Sequence, residues 1–390
     1  MLKDKENQSL KEYNSRKKRY KRRRNLIIVT LLLILVVIAV VYLINLYNKS
    51  YSDIKVINTT EIQGESAIAY LSYGSSVVKY NKNGVMAFNK DGDVLWNSAY
   101  EMVNPIADLC DNYIVIADRG SKSIHIFNQK GEVGRFQSEY NIVKVEVASQ
   151  GVVAALMQEG DANHIIVYDA EGNELCRAKN TVNNAGYPMD ISLSNDGNKL
   201  GAVYLSLAEG DAISTVGFYN FSEVGENYDN YFVGGYSYNK GIIIPKVVFL
   251  NNDIVCAFKD SGLVIYSVKQ LPSVVKKIDF KAKIKSILYN HKYVGVVLEA
   301  QEDSSSKLVL YSLEGKVILD KTLDFKYNKI FLTEEEIIMY DDLTCIIMKT
   351  NGKEKFRYTF DKDIEEFYPI NNLDRYFLIN TLRLMDIMLQ

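Results

Sequence analysis

The sequence predicts an all-β fold, an eight-bladed β-propeller that follows one N-terminal transmembrane helix. Three observations predict it. Residues 26–44 form an uninterrupted apolar run. Beyond them a short strand-like motif recurs eight times, at intervals of 37 to 51 residues. No repeat contains a long segment of 3.6-residue periodicity, which excludes helical solenoids of similar period.

The apolar run reads LIIVTLLLILVVIAVVYLI, nineteen residues with one aliphatic hydroxyl (Thr30), one phenol (Tyr42) and no charge. At about 1.5 Å per residue it spans about 28 Å, close to the ~30 Å hydrocarbon core of a bilayer. A cleavable signal peptide has a shorter apolar region that ends at a small-x-small site. The following Asn45-Leu46-Tyr47-Asn48-Lys49 offers none, so an uncleaved anchor is expected. Residues 1–24 hold eleven Lys/Arg and three acids, a local net of +8 that leaves −10 on the rest of the chain. The basic stretch Arg16–Arg24 precedes the run directly, and only Lys49 and Lys55 follow closely. That bias places the N-terminus in the cytoplasm and the body outside. The expected organisation is a basic cytoplasmic tail (1–24), a transmembrane helix (25–47) and a propeller (48–390). An acidic body speaks against nucleic acid as a ligand.

Each repeat carries an apolar stretch ending in an aromatic or Met, then a polar residue, with a Gly usually four positions after the aromatic. The anchors are Phe88, Phe127, Tyr168, Tyr219, Tyr266, Tyr311, Met348 and Met385. Their spacing brackets the ~40–50-residue period of a four-stranded blade. In the sixth unit Ala282–Leu288 reads as the inner strand and Tyr293–Glu299 as the second. Lys307–Ser312 and Lys316–Leu323 follow as the third and outer strands, joined by a Ser-Leu-Glu-Gly tip whose Gly can take φ > 0. The last unit supplies three strands, around Phe367–Ile370, Arg375–Asn380 and Leu382–Met388. Asp53–Ile62 reads as a strand belonging to no unit, and is expected to close that last blade as its outer strand. Such closure leaves no unpaired sheet edge. Seven blades is the alternative, should two weak units merge.

The stretch Gly84-Val-Met-Ala-Phe88-Asn-Lys-Asp-Gly92-Asp-Val-Leu-Trp96 resembles a blade of quinoprotein-dehydrogenase-like propellers, a group that includes outer-membrane assembly lipoproteins. Asp190-Ile-Ser-Leu-Ser194-Asn195-Asp196-Gly197 is similar to the Ser-x-Asp-Gly turn of WD-like propellers. The layout of basic tail, helix and Tyr-rich propeller resembles a family of uncharacterised membrane-anchored propellers of Gram-positive, clostridia-like bacteria. Such motifs specify fold and not chemistry. The quinone-binding relatives carry a Trp in most blades and a vicinal Cys pair. This chain has one Trp, Trp96, with Cys176, Leu319 and Phe356 at the same distance after their anchors. No quinone, and no other cofactor, is expected; Trp96 reads as a blade-packing residue.

Chemical motifs are sparse. His125, His164 and His291 are far apart, and none has a second ligand type at zinc-site spacing. The four cysteines (Cys110, Cys176, Cys256, Cys345) form no CxxC and read as small buried hydrophobes. The tip Asn89-Lys90-Asp91-Gly92-Asp93 could suggest calcium, but hairpin tips commonly use these residues. No nucleophile elbow, Walker loop or dinucleotide fingerprint occurs. Acidic runs such as Glu334-Glu335-Glu336, Asp341-Asp342 and Glu365-Glu366 put neighbours on opposite strand faces, so none forms a site by itself. The segment of unusual composition is 219–238, in which Tyr228, Tyr231, Phe232, Tyr236 and Tyr238 lie among Asn, Asp and Gly. Loop Tyr gives large contact area at low entropic cost, which makes these five the candidate recognition surface. The competing expectation is that they pack between blades four and five. The sequence therefore predicts a non-enzymatic, extracytoplasmic interaction module with a single membrane span and a protein or cell-envelope partner. The alternative is an extracytoplasmic hydrolase or lyase acting on envelope glycan or peptide, which requires carboxylates or a His meeting in the channel.

Overall fold

A computed structural model describes residues 2–47, 49–62, 69–181, 186–208, 210–238, 241–299, 305–370 and 373–390. Residue 48, the expected start of the propeller, lies outside the described residues. The chain divides into two compact units, 1–50 and 51–390. The first is a single helix, Leu2–Tyr47, which carries the basic stretch and the apolar run in one continuous element. It is long and apolar enough to cross a membrane. The Thr30 hydroxyl within the run is satisfied internally, since Thr30 Oγ1 donates to the Leu26 carbonyl at 2.9 Å. That back-bond spares the Thr30 hydroxyl from entering hydrocarbon unpaired.

The second unit is all-β. Among the described residues its strands form eight antiparallel four-stranded sheets, one per blade, so the count of eight holds and the seven-bladed alternative falls away. Each recurring motif lies on the third strand of its blade: Gly84–Phe88, Ser123–Asn128, Ala162–Tyr168, Asp211–Asn220, Gly262–Ser267, Ser306–Ser312, Thr344–Lys349 and Arg383–Leu389. Blade 8 takes its outer strand from the other end of the propeller sequence. Ile54–Glu61 pairs antiparallel with Arg383–Leu389.

One irregularity recurs in every blade. Just past the tip, the outer strand carries one extra residue. In blade 1, Phe88 faces Val94 and Ala87 faces Trp96, which leaves Leu95 bulged. Blades 2 to 7 repeat this with Val133, Leu175, Val233, Val275, Ile318 and Lys355. Blade 8 does so with Ile57, because Val56 faces Ile387 and Asn58 faces Asp386. The register explains why Trp96, Cys176, Leu319 and Phe356 share one spacing: each sits opposite the residue before its anchor. It also corrects the last repeat. The anchor position of blade 8 is Ile387, two residues beyond Met385, because its outer strand arrives from elsewhere in the chain with no tip to set the spacing.

The apolar core is divided into wedges between successive blades. Val78, Ala87 and Trp96 of blade 1 meet Ile114 and Phe127 of blade 2, with Trp96 stacked on Phe127 at 5.4 Å. Further clusters join each later pair, and Tyr70, Val77 and Phe88 of blade 1 meet Phe377, Ile379 and Leu384 of blade 8. The ring is closed by packing as well as by strand pairing.

Candidate functional site

The aromatic segment forms the join between the third and outer strands of blade 4. In blades 1 to 3 and 5 to 7 this join is a short tip, whereas here residues 221–231 intervene and form two short 3-10 turns, Gly225–Asn227 and Asp229–Tyr231. Asn230 and Tyr231 both occupy the left-handed region, with φ of 54° and 59°. Asn tolerates that conformation but a bulky side chain rarely adopts it. Such residues cost about 1–3 kcal/mol each and persist only where their surroundings hold them. Asp111 is the one other non-Gly residue with positive φ among those described, so the segment concentrates this strain.

The five candidate residues separate into two groups. Tyr228 and Phe232 are each 40% exposed. Tyr231 meets Phe221 edge-on at 5.8 Å, and Phe232 meets Tyr219 in the same way at 5.4 Å. These three form a rigid aromatic rim on blade 4. Tyr236 and Tyr238 turn instead toward blade 5. The Tyr236 hydroxyl donates to the Pro272 carbonyl at 3.0 Å and its ring lies 5.3 Å from Tyr266. Tyr238 shares a hydrogen bond with the Tyr266 hydroxyl. These two stitch neighbouring blades, and the exposed aromatic area lies with Tyr228 and Phe232.

A second site lies in the central channel. The inner strands of blades 2 to 5 are Pro105–Cys110, Asn141–Val147, Tyr187–Leu193 and Lys246–Asn251. They bring Asp108, Lys144, Glu146, Asp190 and Lys246 to one cavity of about 540 Å³, with Tyr80 and Arg119 at its rim. Lys144 Nζ donates to Asp190 Oδ1 at 2.5 Å and to the Ile191 carbonyl at 2.6 Å, and lies 2.7 Å from Glu146. Asp108 accepts the Val147 N–H at 2.8 Å, and Asp190 accepts the Val247 N–H at 2.9 Å. Each carboxylate therefore ties its own inner strand to that of the next blade. Burial, with the Asp108 charge adding to it, pushes the Glu146 carboxyl from 4.5 up to about 7 against the pull of Lys144. Burial also raises Asp108, although the Val147 N–H opposes it. Burial alone would lower Lys144, but Glu146 and Asp190 outweigh it and hold the amine charged.

A carboxyl whose pKa rises on folding holds its proton more tightly in the native state. Its stabilising contribution is present below the unfolded value of 4.5 and is lost as pH rises through about 7. A shift of that size corresponds to roughly 3 kcal/mol. Glu146→Gln is thus expected to be more stable than the parent at pH 8 and to lose much of the decline between pH 4.5 and 7. Urea titrations across that range check this, and an unchanged slope would remove Glu146 as its source.

These channel residues escaped the sequence reading because they are spread over some 140 positions, and only ring closure brings them together. The available signal was a lone charge inside an otherwise apolar strand, as at Asp108 and Asp190. The histidines take separate places. His125 is buried against Glu132 at 3.1 Å, His164 is stacked on Tyr140 at 4.0 Å, and His291 is exposed beside Glu334 at 2.9 Å. All four cysteines are free thiols. Cys256 and Cys345 are buried, while Cys110 and Cys176 are half-buried and are raised by that burial to about 12.

The sequence profile of a family of unknown function, DUF5711, matches residues 47–389, which is most of the chain. The chain belongs to the DUF5711 family. No curated protein matches this family member in sequence. Among solved structures it is similar to BamB from Moraxella catarrhalis, at 10% identity over 86% of this chain and 100% of that one, with a TM-score of 0.52. It is also similar to a structure described as the eukaryotic initiation factor, at 12% identity over 84% of this chain and 87% of that one, with a TM-score of 0.52. At these identities the likeness is one of fold, and the propeller of this DUF5711 member stands within a broad structural class.

Proposed function

We propose that this DUF5711 member is a non-enzymatic interaction module, held at the outer face of the cell membrane by its N-terminal helix, with the aromatic rim of blade 4 docking a protein or envelope component. The observation that carries the reading is the Asn230-Tyr231 pair, a strained insertion that holds Tyr228 and Phe232 half in solvent on a rigid ring. Rigid aromatics give contact area with little entropy to lose on binding. The apolar helix and the basic stretch before it support anchoring with the N-terminus inside. Crosslinking on intact cells followed by purification tests the reading. The expected result is a stoichiometric envelope component, lost by at least about tenfold in a Tyr228→Ser, Phe232→Ser variant that melts normally, as removal of two interface anchors implies. Recovery of the protein alone would overturn it.

The channel carboxylates favour a second reading, hydrolysis or cleavage of an envelope glycan or peptide. Glu146, with its proton retained near neutrality, would serve as the acid, and Asp108 would be the neighbouring carboxylate. Incubation with cell-wall fragments decides between the two: product formation abolished in Glu146→Gln supports the enzyme, and intact fragments dismiss it.

A further inference from the structure

One core position of the blades carries a charge in blade 1 alone. In every blade the residue two before the third-strand anchor faces a residue of the second strand. In blades 2 to 8 that facing residue is Ile116, Ala155, Ala202, Ala257, Val296, Met339 or Leu378. All seven are apolar and at most 4% exposed. In blade 1 it is Lys79, opposite Met86. The repeat thus puts an amine where the other blades need only packing.

Lys79 is itself only 9% exposed. Among the described residues it forms no ion pair and its amine donates no hydrogen bond. The buried Lys259 and Lys355, by contrast, meet Asp279 and Glu336. Burial pushes the Lys79 amine below the usual lysine value, and Glu365 opposes this only through space. A buried amine without a counter-ion is costly to keep, and such a group in a cleft is a feature of binding sites.

The cleft is present. Lys79 lines a cavity of about 370 Å³ on blade 1, a volume within the range of small-molecule sites. The register sets Lys79, Met86 and Asn97 in one row across the second, third and outer strands, so their side chains share a face. All three line the cavity, with Val85 and Ala99 beside them. Asn97 is exposed, and its amide forms no hydrogen bond among the described residues. The row therefore has a cation at one end, a free amide at the other and a thioether between. At the usual strand spacing its ends are about 10 Å apart. One cation suits a monoanion, whereas a phosphate dianion calls for several charged or backbone donors.

From the unpaired lysine, the cavity and this row, we propose that blade 1 holds a binding site for a small organic acid. The carboxylate sits on Lys79, an apolar body covers Met86, and a polar far end meets Asn97. The site shares no residue with the aromatic rim of blade 4 and stands whatever that rim docks.

The test is ligand-observed NMR titration of the detergent-solubilised full chain with hexanoate, benzoate and 4-hydroxybenzoate. Saturable binding of at least one acid is expected, weakened about tenfold or more in Lys79→Met, as loss of a charged hydrogen bond implies. Benzyl alcohol, which lacks the charge, is expected to bind the parent as weakly as benzoate binds the variant. Met is the residue that blade 7 carries at this position, so Lys79→Met is expected to fold and to melt no lower than the unliganded parent. A clearly lower melting temperature would show that the native amine is paired, and would overturn the proposal. Asn97→Ala is expected to weaken 4-hydroxybenzoate by about threefold and to leave benzoate unchanged; equal loss for both removes the far-end contact. Saturable binding of none of the three acids, or equal binding to Lys79→Met, overturns the site. Displacement by inorganic phosphate as readily as by benzoate overturns the organic-acid class. None of these outcomes bears on the blade 4 rim, whose own test is separate.

Discussion

Replacing Lys355 by methionine is expected to destabilise the propeller by about 3–5 kcal/mol, because it leaves a buried carboxylate without its counter-ion. Lys355 is in the outer strand of blade 7, and its amine lies 2.5 Å from Glu336 Oε1 at the start of that blade's second strand. It also donates to the Tyr376 hydroxyl of blade 8 at 2.8 Å, and Tyr376 donates in turn to Glu336 Oε2 at 2.7 Å. Both charged groups are almost wholly enclosed. Inside the protein the attraction between the charges only balances the cost of taking both from water, so the pair is worth little more than a well-packed apolar substitute. Losing one partner is costly, whereas losing both is not. Equilibrium denaturation of Lys355→Met, of Glu336→Leu and of the double variant checks this. The double variant is expected within about 1 kcal/mol of the parent. A single variant as stable as the parent would show that the cluster is hydrated and worth little.

Gly92→Ala is expected to cost about 2–5 kcal/mol, combining left-handed backbone strain with overpacking. Gly92 has φ of 83°, and a β-carbon there would lie 1.7 Å from Thr60 Oγ1. Thr60 belongs to the closing strand, and the same tip accepts the Asn58 amide at the Asp91 carbonyl, 2.5 Å away. The substitution therefore acts on the joint between the two ends of the ring. Gly74→Ala supplies the control, since Gly74 has φ of 58° but open space around it. It is expected to show the strain without the collision. Thr60→Gly in the Gly92→Ala background is expected to recover part of the loss. Equal costs at Gly74 and Gly92, read from melting or urea curves, would dissociate the tip from closure.

The tip glycines show how far local reading extends. Gly92, Gly131, Gly172, Gly315 and Gly352 were visible as a regular spacing after five of the eight anchors, and the turn conformation followed from it. Their second role was not visible. A β-carbon on Gly172 would strike Phe136 of blade 2, one on Gly315 would strike Lys276 of blade 5, and one on Gly352 would strike Leu319 of blade 6. Each tip docks on the outer strand of the preceding blade, a contact between residues tens of positions apart. The bulges were hidden for a related reason. Leu95 and Ile318 read as ordinary strand aliphatics, and only pairing against the third strand shows that they are extra residues turned outward.

The sequence by itself determined the all-β class and the repeating blade unit, because both arise from short-range patterns repeated at a near-constant period, whereas the sheet pairing decided eight blades over seven. The sequence also determined that residues 26–44 are long and apolar enough to cross a bilayer, a property of composition and length alone. Tertiary structure decided which side chains meet. The five channel charges come from the inner strands of four successive blades, and Tyr236 and Tyr238 part from Tyr228 and Phe232 although they share one segment. A blade's local pattern sets which residues form its strands, but contacts between blades depend on the closed ring, which brings together residues with no relation in sequence.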